Sequence, residues 1–203
     1  MSTTTDSPRI LCIAGSPRRY GNSERLLDAL IAGVEAVGGE AVKLIAKDAG
    51  ANVCLGCNAC SKDGRCIQRD GMDAVYAEID AADGIVVASP VFFATVPAVL
   101  KTLLDRCQPY WVRRYILKVP RPATRRPGAI IVVGGGGDPY GTGCALSPIK
   151  SVFAVLSVSP DHVLEIVGPD RPGDIVNEPD ALIRAENIGR ELVKEARTRR
   201  LPG

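Results

Sequence analysis

The sequence predicts a doubly wound α/β protein: a five-stranded parallel sheet in the order 2-1-3-4-5, with helices on both faces. Three observations carry this. Apolar runs alternate with segments of helical period along the chain. The central apolar runs are continuous rather than alternating, as in strands covered on both sides. The 203 residues suffice for one such domain and leave little for a second. In this fold the ligand sits beyond the carboxyl ends of the strands, beside the switch between strands 1 and 3.

Residues 10–14 (ILCIA) are apolar after a polar start and end at Gly15, which makes them strand 1. Leu26, Leu27, Leu30, Ile31, Val34 and Val37 recur at helical spacing, with Asn22 or Ser23 as cap and Gly38 and Gly39 as stop. Residues 41–46 form strand 2, and a Gly- and Cys-rich loop follows. A helix is expected from about 72 to 82, strand 3 at 84–88 (GIVVA) and a helix over 96–107. Strand 4 is 129–133 (AIIVV), ended by four glycines. A helix over 146–156, strand 5 at 162–167 and an amphipathic helix over 181–197 complete the chain. No repeat or linker divides it. Residues 1–203 therefore read as a single domain with a cysteine-rich loop at 54-66 and a basic insertion at about 109-128.

Composition narrows the function. Apolar residues make up 46%, enough for a sizeable core, and the formal net charge of +2 argues against a nucleic-acid surface. No apolar run has the length of a membrane span, and the opening MSTTTDSPRI lacks the order of a secretory signal. A cytoplasmic protein is expected, with no membrane and no nucleic-acid partner. In that compartment clustered cysteines favour metal or redox chemistry over structural disulfides.

Three loops fall at the carboxyl edge. GSPRRYGNS (15–23) puts hydroxyls, an amide and backbone N–H groups at a helix N-terminus, which favours an anion. It is neither G-x-G-x-x-G nor a P-loop. SPVFFATVPAVLKTLLDR (89–106) places Phe92 and Phe93 in a loop stiffened by Pro90 and Pro97; the pair either walls a flat ring or belongs to the core. GGGGDPYGTG (134–143) permits close backbone approach to a planar ligand.

Together these motifs resemble the NADPH-dependent FMN reductase family, a flavodoxin-like group, from about residue 9 to 167. The resemblance implies a flavodoxin-like fold and FMN as cofactor. It implies Ser16, Arg18, Asn22 and Ser23 at the FMN phosphate, and Pro90, Val91, Phe92 and Phe93 along the isoalloxazine and ribityl. Gly134, Gly135 and Gly136 would close the other side of the ring.

Cys54, Cys57, Cys60 and Cys66 form C-x2-C-x2-C-x5-C. The compact start resembles half of a bacterial ferredoxin motif, but the last gap is five residues and no second set exists. All four can wrap one [4Fe–4S] cluster; zinc, a metal-free loop or an oxidation-sensing thiol pair are the other readings. The loop resembles the iron–sulfur flavoprotein branch of the same family. That resemblance implies a homodimer or homotetramer and a redox partner such as NAD(P)H or a ferredoxin.

The expected activity is therefore an FMN-dependent oxidoreductase of iron–sulfur flavoprotein type, passing electrons between flavin and cluster. The other readings are a plain NAD(P)H-dependent FMN or quinone reductase, an FMN-dependent dehydrogenase of a carboxylic metabolite of aminodeoxychorismate type, and a redox sensor. The dehydrogenase reading rests on Arg113, Arg114, Lys118, Arg121, Arg125 and Arg126, which either hold an anionic substrate or form a solvated or inter-subunit loop. No catalytic acid or base is identifiable: the sole histidine, His162, reads as structural. Cys12 belongs to the core, and Cys107 and Cys144 carry no assigned role.

Overall fold

The computed structural model describes residues 7–200. Its strands are β1 (Arg9–Ala14), β2 (Glu40–Ile45), β3 (Gly84–Pro90), β4 (Arg126–Gly134) and β5 (Val158–Val167). Its helices are α1 (Asn22–Ala36), α2 (Met72–Ala81), α3 (Ala98–Asp105), α4 (Gln108–Tyr115), α5 (Gly143–Val155) and α6 (Pro179–Arg200). All strand pairs are parallel, in the predicted order β2-β1-β3-β4-β5.

Alternation along the strands feeds two cores. Leu11 and Ile13 of β1, with Ile85 and Val87 of β3, face α2, α3 and α5. Ile10, Cys12 and Ala14, with Val86 and Ala88, face α1 and α6. Both faces being covered explains the continuous apolar runs. Burial pushes the thiols of Cys12 and Cys107 up to about 12, which leaves them inert core groups.

The helix ends differ from expectation in one place. Gly21, not Asn22 or Ser23, occupies the α1 N-cap, and no side chain caps it. At the other end Gly38 (φ +74°) donates to Glu35 O and Gly39 to Val34 O, a Schellman closure at the predicted stop.

The outer strands start earlier than their apolar runs. Pro160 interrupts β5, yet β5 is an edge strand, where a missing N–H is tolerated. The ladder steps from Gly128–Pro160 to Ala129–His162, a bulge that skips Asp161. A Cβ on Gly128 would lie 2.4 Å from Val158 Cγ1, so the crowded bulge needs glycine. The insertion opens as α4, with Pro109 in its first turn, where proline's missing N–H costs nothing. His162 Nε2 lies 3.0 Å from Glu195 of α6, a structural contact. Among the described residues no helix is long and apolar enough to cross a membrane.

Candidate functional site

Parallel topology delivers the loops after β1, β3, β4 and β5 to one edge. They enclose a cavity of about 360 Å³. Its walls are Ser16, Arg18, Gly21, Asn22 and Ser23 from the first loop, Pro90, Val91, Phe92 and Phe93 from the second, Gly135 from the third, and Pro169, Asp170 and Pro172 from a fourth. Gly134 and Gly136 line an adjoining cavity that shares Val91, Gly135 and Asp170 with the first. The eleven residues assigned to flavin from sequence thus meet at one composite cleft.

The first loop turns tightly. The Ser16 hydroxyl accepts from Arg18 N at 3.1 Å, and Ser16 and Ser23 are buried. The first helical bond of α1 runs from Arg25 N to Gly21 O, so the preceding N–H groups have no partner within the helix, and Gly21, Asn22 and Ser23 line the cavity. Arg18 is exposed and makes no ion pair among the described residues. Glu24, buried in the same turn, accepts from Tyr20 N and from Lys43 Nζ at 2.8 Å, with Arg19 at 3.4 Å. Burial alone would raise its pKa. The bonds from Lys43 and Tyr20, helped by the Arg19 charge, outweigh it and hold the carboxylate below its usual range. Two cations, Lys43 and Arg19, thus neutralise the buried acid of this turn.

Asn22 lines the cleft, but its amide faces the return loop after β5. It donates to Pro169 O (3.2 Å) and Arg171 O (3.0 Å) and accepts from Gly173 N (3.0 Å) and Ile175 N (3.2 Å). All four amide hydrogen-bonding positions are used in holding that wall.

The second loop settles the place of the phenylalanines. Neither belongs to a core cluster: Phe92 is half-buried and Phe93 is 98% exposed. Phe92 and Thr95 exchange backbone hydrogen bonds of 2.8 and 3.1 Å around Phe93 (φ 47°) and Ala94 (φ 58°). Two successive positive φ values make a tight primed turn without glycine, a strained arrangement that sets the Phe93 ring at the cavity mouth. Asp138 of the third loop accepts from Ala94 N at 2.7 Å and ties the second loop to the third. Gly135 has a packing reason too, since a Cβ there would lie 2.6 Å from Asp170 Oδ1.

The cysteine loop lies elsewhere. Its neck is closed by Gly71 N to Gly50 O (3.1 Å), by Asn52 to Asp70 (3.0 Å) and by Gln68 to Val53 O (3.1 Å). Cys54, Cys57, Cys60 and Cys66 all line one cavity of about 330 Å³, walled also by Asp105, Arg106, Gln108 and Pro109. That cavity shares no lining residue with the cleft. Among the described residues no three metal-binding side chains are gathered at ligand distance. The donor set nonetheless suits a thiolate-held group: four cysteines line one space, and the buried Nε of Arg106, another lining residue, lacks a partner among the described residues.

The basic segment is largely built into the fold. Arg126 donates to the carbonyls of Ile79, Ala82 and Leu156, Arg125 to Val158 O, and Arg113 to Gly64 O of the cysteine loop. Arg113, Arg114, Arg121 and Arg126 line a third cavity that shares nothing with the cleft. The chain does not bring them to the candidate flavin site.

Sequence reading missed the fourth wall, Asp138 and the Arg106–Asp70 pair. The motif GPDRPG after β5 was the available signal for the wall, because every parallel strand sends its following loop to the same edge.

The chain is similar to known proteins over most of its length. The family model described as NADPH-dependent FMN reductase matches residues 8–160. An iron–sulfur flavoprotein of Archaeoglobus fulgidus is 30% identical over 90% of this chain and 77% of its own length. One of Methanocaldococcus jannaschii is 28% identical over 92% and 96%. Among solved structures, an NAD(P)H:quinone oxidoreductase from Methanothermobacter marburgensis superposes with a TM-score of 0.67 at 21% identity, covering 92% of this chain and 99% of that one.

Proposed function

Because the chain belongs to the NADPH-dependent FMN reductase family, in its iron–sulfur flavoprotein branch, we propose that this FMN-dependent oxidoreductase passes electrons between FMN and a [4Fe–4S] cluster. The observation that carries the flavin half is the composite cleft at the switch between β1 and β3, with a helix N-terminus at one end and an aromatic turn at the other. Bound FMN supplies the exchange between two-electron and one-electron chemistry. The N–H groups of the α1 N-terminus, Ser16, Ser23 and Arg18 hold its phosphate. Pro90, Val91, Phe92 and Phe93 flank the ring and exclude water from one side, and Gly134, Gly135 and Gly136 let backbone approach from the other. Cys54, Cys57, Cys60 and Cys66 hold the cluster, which supplies one-electron transfer.

The cysteine cavity and the cleft share no lining residue, which favours transfer between the cluster of one subunit and the flavin of another in a homo-oligomer. A monomer on a sizing column with full electron-transfer activity would exclude that route. The donor or acceptor is NAD(P)H, a ferredoxin or a quinone-like molecule. The protein acts in the cytoplasm, where thiols stay reduced.

Purification without oxygen tests both halves. The visible spectrum should carry flavin bands and a broad shoulder that bleaches with dithionite, with iron and sulfide at four per chain. A colourless protein that gains neither group on reconstitution refutes the reading. Flavin without iron reduces it to a plain reductase.

A further inference from the structure

Arg106 ends the PAVLKTLLDR motif and plays no part in the cleft. It is 1% exposed and heads the fully enclosed side chains by size. Its Nη1 donates to Asn52 O (2.8 Å) and Asp70 Oδ2 (2.7 Å), and its Nη2 to Asp70 Oδ1 (3.1 Å). Asn52 and Asp70 are the two flanks of the cysteine segment, so one guanidinium grips both sides of the loop neck. The Tyr76 hydroxyl donates to Arg106 O at 2.6 Å and fixes the backbone behind it.

Three of the five N–H donors of the guanidinium are thereby used. Nε is buried with no partner among the described residues. Leaving such a donor unmet costs about 1–3 kcal/mol, so a native fold retains one where something else satisfies it. Arg106 lines the cavity of the four cysteines, whereas Asp70 does not. The ion pair therefore contributes its cationic member, and not its acid, to the wall of the cysteine cavity. A charge on Cys66 lies close enough to act on both Arg106 and Tyr76.

We infer that Arg106 is the positioning residue of the cysteine cavity. It holds both flanks of the loop through Asn52 and Asp70 and leaves two N–H donors, the buried Nε among them, and its positive charge for an anionic, sulfur-rich occupant. This rests on the cluster reading above. Hydrogen bonds and charge near the sulfurs set a cluster's potential, and partners behind the ligands govern retention. Arg106 stabilises the more negative, reduced state, so its removal lowers the potential.

Two variants test this. Arg106→Lys keeps the charge and loses the fork. The double variant Arg106→Gln, Asp70→Asn removes both charges together, which avoids stranding one of them. Wild type and both variants are reconstituted anaerobically with iron and sulfide. Three quantities are read: FMN content, the rate of iron loss to a chelator, and the cluster potential by dye equilibration. FMN content should match wild type, because Arg106 is not among the residues that line the cleft. Both variants should release iron at least tenfold faster. The double variant should be about tenfold harder to reduce, a drop of about 59 mV for one electron. Wild-type iron retention and potential in both variants overturn the inference and leave the cluster reading intact. A wild-type chain that takes up no iron overturns both.

Discussion

Asn22→Asp separates two roles that one asparagine at a helix start can play. If its amide serves only a bound phosphate, the flavin-stripped protein should not register the change. The geometry says otherwise, because both amide hydrogens go to carbonyls of the return loop, Pro169 O and Arg171 O. Aspartate is isosteric and keeps the acceptor that Gly173 N and Ile175 N use. It has no hydrogen for the two carbonyls and turns an oxygen toward them. Each stranded pair costs about 1–2 kcal/mol. Stronger charge-assisted bonds from Gly173 and Ile175 return about 1 kcal/mol. The net loss is about 2 kcal/mol, or roughly 4–8 °C in melting temperature for a chain of this size. Thermal melts of flavin-stripped wild type and variant give the comparison. A melting temperature unchanged in the stripped protein, with FMN affinity reduced, would show that the amide faces the ligand and that the return loop does not depend on it.

Three further substitutions probe the frame around the sites. Asp70→Asn leaves Arg106 buried without its counter-charge and should cost about 3–5 kcal/mol in urea unfolding. The Arg106 guanidinium, chiefly, holds the Asp70 carboxyl well below its usual range. A depressed folded pKa gives stability that is complete above the unfolded value of about 3.9 and is lost as pH falls below it. Wild type should therefore lose stability below about pH 4 more steeply than the variant, and superimposable acid profiles would contradict the pairing. At the α1–α6 crossing, a Cβ on Gly33 would lie 1.9 Å from Glu186 O, and one on Gly189 2.1 Å from Leu30 O. Alanine gains up to about 1 kcal/mol in helix propensity, yet overpacking costs about 1–3 kcal/mol, so each variant should melt lower. Separating the helices for one alanine makes room for the other, so the double variant should be less destabilised than the sum. Additive losses would mean that the two glycines relax independently.

The buried half of the fold was legible because burial writes itself into the sequence. β1, β3 and β4 are covered on both faces, so their apolar runs name them and the strand order follows from topology. The outer strands were harder. The first residues of β5 include Pro160 and Asp161, which an edge strand tolerates at a bulge but which erase the strand pattern. The helix α4 was hidden by Pro109 and a run of charge, although proline in a first turn is compatible with a helix start. At the cleft, loops with a composition of their own were readable. Asp170 and Asp138 were not, because each works through one contact with a residue far away in sequence. The same holds for the Arg106–Asp70 pair, which spans 36 positions and joins a helix end to a loop neck.

That pair also decides where the cysteines end up. β2 is in register with β1 as far as Ala14–Ile45, so parallel pairing sends the cysteine loop out at the flavin edge. Topology fixes where a loop leaves the sheet, not where its middle comes to rest. The Gly50–Gly71 pinch and the grip of Arg106 draw this loop against the last turn of α3 and the first of α4. Residues 90–93, ahead of α3, wall the cleft, and Asp105 and Arg106, at its far end, wall the cysteine cavity. Eight helical residues span about 12 Å, so α3 acts as a spacer between the cavities. Its N-terminal half is seated by Leu100 against Gly15, where a Cβ would lie 2.5 Å from Leu100 Cδ2, and its C-terminal end by Asp70. The helix is thereby anchored at both ends, to the turn after β1 and to the loop neck. Coupling the cavities then depends on what the helix is placed against, which in a homo-oligomer is set by subunit packing rather than by motion within one chain.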